Sequence, residues 1–129
     1  MVGGLFQRGA LGHVGHDGCT AGERANRYGT WHKAYGENLA YFCWNGASTC
    51  LRMQPCTCGG VGSLTFRRPA SCAADDVVVS WLVDDGVPKR GHRVNLLREG
   101  WRVCGVASGD HKNMESMYIA LFADAYEDA

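Results

Sequence analysis

The alternation of apolar and polar positions is most regular toward the C-terminal end of the chain. In SMYIALFADAY, Met117, Ile119 and Leu121 fall on one side of an extended chain, and Tyr118, Ala120 and Phe122 on the other. Both sides are apolar, which predicts a strand in a sheet covered above and below by helices, not a half-exposed meander. GWRVCGVASG reads as a second strand, and YGENLAYF, apolar and aromatic after a glycine, as a short strand or extended segment. TAGERANRYG opens with Thr20 and carries Glu23 three residues later, a capping-box pattern, with Gly29 as the stop. A short helix over 20–28 is predicted. DDVVVSWLVDDG is ambiguous. Its β-branched run favours a strand, Asp75 or Asp76 would cap a helix, and its length does not decide. PKRGHRVNLL reads as a basic turn around His92.

Residues 43–72 break the pattern. CWNGASTCLRMQPCTCGGVGSLTFRRPASC holds five of the seven Cys and two of the three Pro, and has neither helical nor strand periodicity. Thirty residues without an element do not suit a compact domain, so the segment is expected to be an irregular or disordered insert, or outside the mature fold.

The 129 residues suffice for a single domain with one core. Thirteen basic residues balance thirteen acidic ones, which argues against nucleic acid as a partner. The nearest basic group, Arg67, Arg68, Lys89, Arg90 and Arg93, reads as a solvated face. No apolar run has the length of a membrane span, and MVGGLFQRGALGH has no apolar segment of leader length. Seven cysteines leave at least one unpaired if the others form disulfides, so the redox compartment stays open. Cys50, Cys56, Cys58 and Cys72 match no zinc-knuckle spacing and read as free thiols or irregular disulfides.

Three other groups could carry chemistry: His92 with Asp84 and Asp85 upstream, the GEN of Gly36–Asn38, and GHVGHDG at Gly12–Gly18. Glycines argue against a helix that would bring His13 and His16 onto one face. Ser80 and Ser108 lack the turn that presents a nucleophilic serine. Each His or carboxylate taken alone is more often a surface residue than a ligand.

Taken in order, HVGHDG (His13–Gly18), RANRYG (Arg24–Gly29), GENLAY (Gly36–Tyr41), SWLVDDG (Ser80–Gly86) and RGHRVNLL (Arg90–Leu97) resemble the successive signatures of the CAP superfamily, or SCP-like domains. This superfamily includes cysteine-rich secretory proteins, insect venom antigens and plant pathogenesis-related proteins. VCGVASGDHKNMESMYIALFADAY is similar to that family's last two strands, so the resemblance covers residues 11–42 and 75–126. It implies an α+β fold, a three-layer α-β-α sandwich, and settles residues 76–84 as helix. It also implies a cleft lined by His13, Glu37, Asp84 and His92, with His16 where relatives carry a small polar residue and Asp84 where many have Glu. Two imidazoles and two carboxylates make a ligand set for Zn2+ or another divalent cation. Without metal the carboxylates would hydrogen-bond the imidazoles.

Further expectations from the resemblance are a non-catalytic binding module, secretion, and a lipid or sterol ligand. The alternatives are a metal-assisted hydrolase with Glu37 or His92 as general base, and a tetrad that only ties loops together. Relatives carry a long helix before the first His and a much shorter connection in place of 43–72. An incomplete or atypical member is therefore expected.

Overall fold

A computed structural model of the chain describes residues 12–45, 48–52, 74–112 and 115–129. Within these residues short helices accompany an antiparallel sheet, an α+β arrangement. In chain order the elements are α1 (Ala21–Ala25), β1 (Gly29–Asn45), β2 (Ser48–Arg52), α2 (Ala74–Val83), a 3-10 turn (Pro88–Arg90), α3 (Gly91–Leu96), β3 (Val103–His111) and β4 (Glu115–Asp128). The strand order is β2-β1-β4-β3, and every neighbouring pair is antiparallel.

The predicted capping box at α1 forms in both directions. The Thr20 amide donates to the Glu23 carboxylate at 2.8 Å, and the Glu23 amide donates to the Thr20 hydroxyl at 3.3 Å. The helix is shorter than predicted, with Asn26 as its C-cap, because the next residues turn the chain into β1 at Gly29. β1 is correspondingly longer than YGENLAYF alone suggests. It carries an irregularity between His32 and Tyr35, where Lys33 takes a left-handed φ of 63°.

DDVVVSWLVDDG is a helix. Its β-branched residues are overruled by tertiary packing: Val77 and Trp81, four apart, are buried, while Val78, Val79 and Val83 are exposed. Asp75 and Asp76 lie within the first turn, where negative charge suits the helix dipole, and not at the cap. Val77 and Trp81 join Ala40, Ala120 and Phe122 in the core, with Leu96, Trp101 and Tyr118 against it. Small residues at 40 and 120 leave room for the indole, whose Nε1 donates to the Leu39 carbonyl at 3.1 Å. Removing that ring would cost on the order of 3–5 kcal/mol.

The β1–β4 register sets Asn38 and Ala40 opposite Ala120 and Tyr118 on the α2 side, and Leu39 and Tyr41 opposite Ile119 and Met117 on the other. Residues of both sets are buried, as the two-sided apolar pattern predicts.

Two expectations change. PKRGHRVNLL is a 3-10 turn followed by a helix, not a turn alone, because Asp84 supplies acceptors for the first amides of α3. The expected irregular insert begins as regular structure, since Cys43, Trp44 and Asn45 pair with Cys50, Thr49 and Ser48. Asn45 pairs with Ser48, and the Gly that follows Asn45 in the sequence is a hairpin signal that the cysteine density obscures. Residues 53–73, including Cys56, Cys58, Cys72, Arg67 and Arg68, lie outside the described residues. Among the described residues, no helix is long and apolar enough to cross a membrane.

Candidate functional site

Asp84 ends α2 and starts α3. Its φ of 49° is left-handed, the conformation that terminates a helix and that glycine usually supplies. An aspartate here has a second task. Oδ2 accepts from the backbone amides of His92 at 2.8 Å and Arg93 at 3.2 Å, satisfying amides that α3 leaves unpaired. Oδ1 bonds the His92 Nδ1 at 2.8 Å, with both side chains buried (0% and 7% exposed). The basic residues flanking His92 close the other side of the joint. Arg90 donates to the Val83 carbonyl at 2.6 Å, and Arg93 donates to the carbonyls of Leu82 and Val83, the orphan acceptors at the end of α2.

The second pair is built from distant segments. Glu37 Oε1 bonds the His13 Nδ1 at 2.9 Å, and Oε2 accepts from the Arg24 guanidinium at 2.7 Å. Arg24 is buried on α1 and also donates to the carbonyls of His13 and Cys19, at 3.3 and 2.8 Å. It thus ties the histidine loop to the strand. The Gly12 amide donates to the Tyr41 hydroxyl at 2.9 Å, and burial pushes the Tyr41 phenol up. His16, where relatives of the resembled family carry a small polar residue, is exposed in the turn that follows.

The two pairs share one cleft of about 300 Å³, lined by His13, Glu37, Asn38, Gly91, His92 and Asn95 among others. Asn38 is the bridge: its Nδ2 donates to the His92 carbonyl at 3.0 Å, and its Oδ1 accepts from Asn95 at 2.9 Å. Gly36 permits this approach, since a Cβ there would lie 2.2 Å from the Asn95 side-chain oxygen. Glu37 and Asn38 are adjacent on β1 and point to opposite faces, so the cleft wraps around one edge of the strand. Among the described residues, β2 pairs with β1 only from Tyr41 onward.

The structure therefore brings His13, Glu37 and His92 onto one cleft, with Asp84 behind His92. They form two pairs, not four ligands converging on a point. Every carboxylate oxygen of Glu37 and Asp84 already accepts a hydrogen bond. Among the described residues, no group of three or more His, Cys, Asp or Glu is arranged to hold a metal ion. In each pair the carboxylate takes Nδ1, so in the neutral tautomer Nε2 carries the free lone pair.

Arg24, Asn38 and Asn95 belong to this site, and single-residue reading passes over them. Each sits inside one of the ordered motifs RANRYG, GENLAY and RGHRVNLL. Ser80 is not presented as a nucleophile: its hydroxyl donates to the Val77 carbonyl within α2 at 2.6 Å. Cys19 and Cys104 are free thiols, and burial pushes the Cys104 thiol up. No family model, curated protein or solved structure matches the chain.

Proposed function

We propose that the protein is a non-catalytic, secreted binding module of the CAP/SCP-like type, with the three-layer sandwich of that class, whose cleft takes a divalent cation. One observation carries the cation reading: two imidazoles line the same cleft, each with Nδ1 held by a carboxylate and Nε2 left over. The donor chemistry fits an open two-imidazole site for a borderline ion such as Zn2+, not a closed four-ligand cage. His13 and His92 would hold the ion, while Glu37 and Asp84 fix tautomer and ring orientation from behind. Arg24 offsets the charge of Glu37 and keeps that carboxylate on the imidazole. The family assignment rests on the five ordered motifs, and a lipid or sterol surface rests on that resemblance alone. Hydrolysis is the weaker reading, since a Glu37 base would first have to release His13 or Arg24.

A second reading has its own support. The carboxylates are fully satisfied within the protein, as expected if the tetrad only fastens loops to the sheet. Zinc titration by calorimetry on wild type, His13→Ala and His92→Ala separates the two. Saturable binding by wild type, weakened about tenfold or more in each variant, is expected for two imidazole ligands. Absence of binding by folded wild-type protein removes the cation reading and leaves the structural one.

A further inference from the structure

β3 ends the strand order, so among the described residues it pairs on one side only, with β4. Its exposure shows the other side open. Arg102, Val103, Cys104, Gly105 and Val106 are exposed in succession, and so are Ser108 and Asp110. Val106, in mid-strand opposite Ala120, is 79% exposed, and a strand laid along that edge would cover it. Edge strands of stable monomers are commonly blunted by Lys or Pro, and Val103–Asp110 contains neither. Arg102 and Asp110, at its two ends, carry opposite charges. Both are exposed, and among the described residues neither has an ion-pair partner.

We propose that β3 pairs with β3 of a second copy, antiparallel, about a two-fold axis through Val106. Identical strands close on one another about such an axis and use up the edge in both copies. The charges choose the register. With Val106 facing its counterpart, Arg102 of each copy lies beside Asp110 of the other. An axis through Ala107 would set Arg102 against Lys112, like against like, and one through Gly105 would set it against Ser108. The chosen register also brings the two exposed Val106 side chains together at the axis. A ladder this short gives a weak dimer, with Kd on the order of 10–100 μM. β4 lies between β3 and the strand that carries the histidine cleft, so the cation reading is not needed here.

The test is sedimentation equilibrium from about 5 μM to about 0.5 mM, a range that brackets this Kd. EDTA and a reductant are present, which excludes zinc bridging and cross-linking through exposed thiols such as Cys104. A reversible monomer–dimer equilibrium is expected of the wild type. Val106→Lys should weaken it about tenfold or more with an unchanged circular dichroism spectrum, because that side chain stands in solvent. At low salt Arg102→Asp and Asp110→Arg should each weaken it about tenfold or more, since each sets like charges together at both ends. The double variant Arg102→Asp/Asp110→Arg should restore wild-type affinity within about threefold. A wild type that stays monomeric throughout, association unmoved by Val106→Lys, or a double variant no tighter than its parents overturns the proposal.

Discussion

The two histidine–carboxylate pairs use the same bond and differ in what surrounds it. His92 and Asp84 are eight residues apart, both buried, and the carboxylate is held by two backbone amides. His13 and Glu37 are twenty-four residues apart; the imidazole is 37% exposed, and the carboxylate is shared with a guanidinium. The first is a joint between helices whose loss is felt by the backbone. The second is a clamp on a loop, with one partner facing solvent. Burial and local backbone bonding make the His92 side a structural fixture, whereas the exposed His13 imidazole is free to meet a ligand.

Substitutions should separate the sides in that order. Asp84→Ala strands the buried His92 and the first amides of α3 together, so urea unfolding is expected to show a loss of roughly 3–5 kcal/mol. A loss under about 1 kcal/mol would mean that the joint is not structural. Glu37→Gln keeps the shape but leaves the buried Arg24 guanidinium without a countercharge, with an expected loss of about 2 kcal/mol by the same measurement. His13→Ala should cost less than about 1 kcal/mol, because that imidazole is more than a third exposed. His92→Ala should cost clearly more, although weakened zinc binding is expected of both variants. Equal stability losses would erase the distinction between the pairs.

The smallest effect is in acid. The Arg27 guanidinium beside Asp17, helped by the Cys19 amide, holds the Asp17 carboxyl at about 2, below its usual 3.8. A folded-state value below the unfolded one gives stability that is present above about pH 4 and lost as pH falls toward 2. Asp17→Asn should flatten thermal stability across that window. Because both side chains are largely exposed, added salt should shrink the difference. The loop that carries His13 would loosen first.

Much of this was legible in the sequence where local chemistry and tertiary packing agree. The capping box at Thr20 and Glu23 needs only its own turn, and the alternation in β4 needs only a sheet buried on both faces. DDVVVSWLVDDG was not legible from propensity, because its helix exists to place Val77 and Trp81 against Ala40 and Ala120, residues distant in the chain. The four site residues were legible as an ordered set of motifs, but not as two pairs. Pairing depends on Arg24 claiming one Glu37 oxygen and on the α3 amides claiming Asp84. Neither can be counted along the chain. The hairpin at Asn45 was masked by composition, since clustered Cys and Gly drew attention from a two-residue turn signal.

The sheet also sets the order in which the molecule can form. β1 leaves the ribosome early, yet its longest ladder is with β4, where Leu39 meets Ile119 and Gly29 meets Asp128. Until β4 arrives, the described neighbours of β1 are α1, β2, α2 and α3, and the edge that β4 will cover is open to other chains. Such non-local closure slows folding and prolongs exposure to aggregation. Renaturation yield should therefore fall with protein concentration more steeply than the size of the chain alone would suggest.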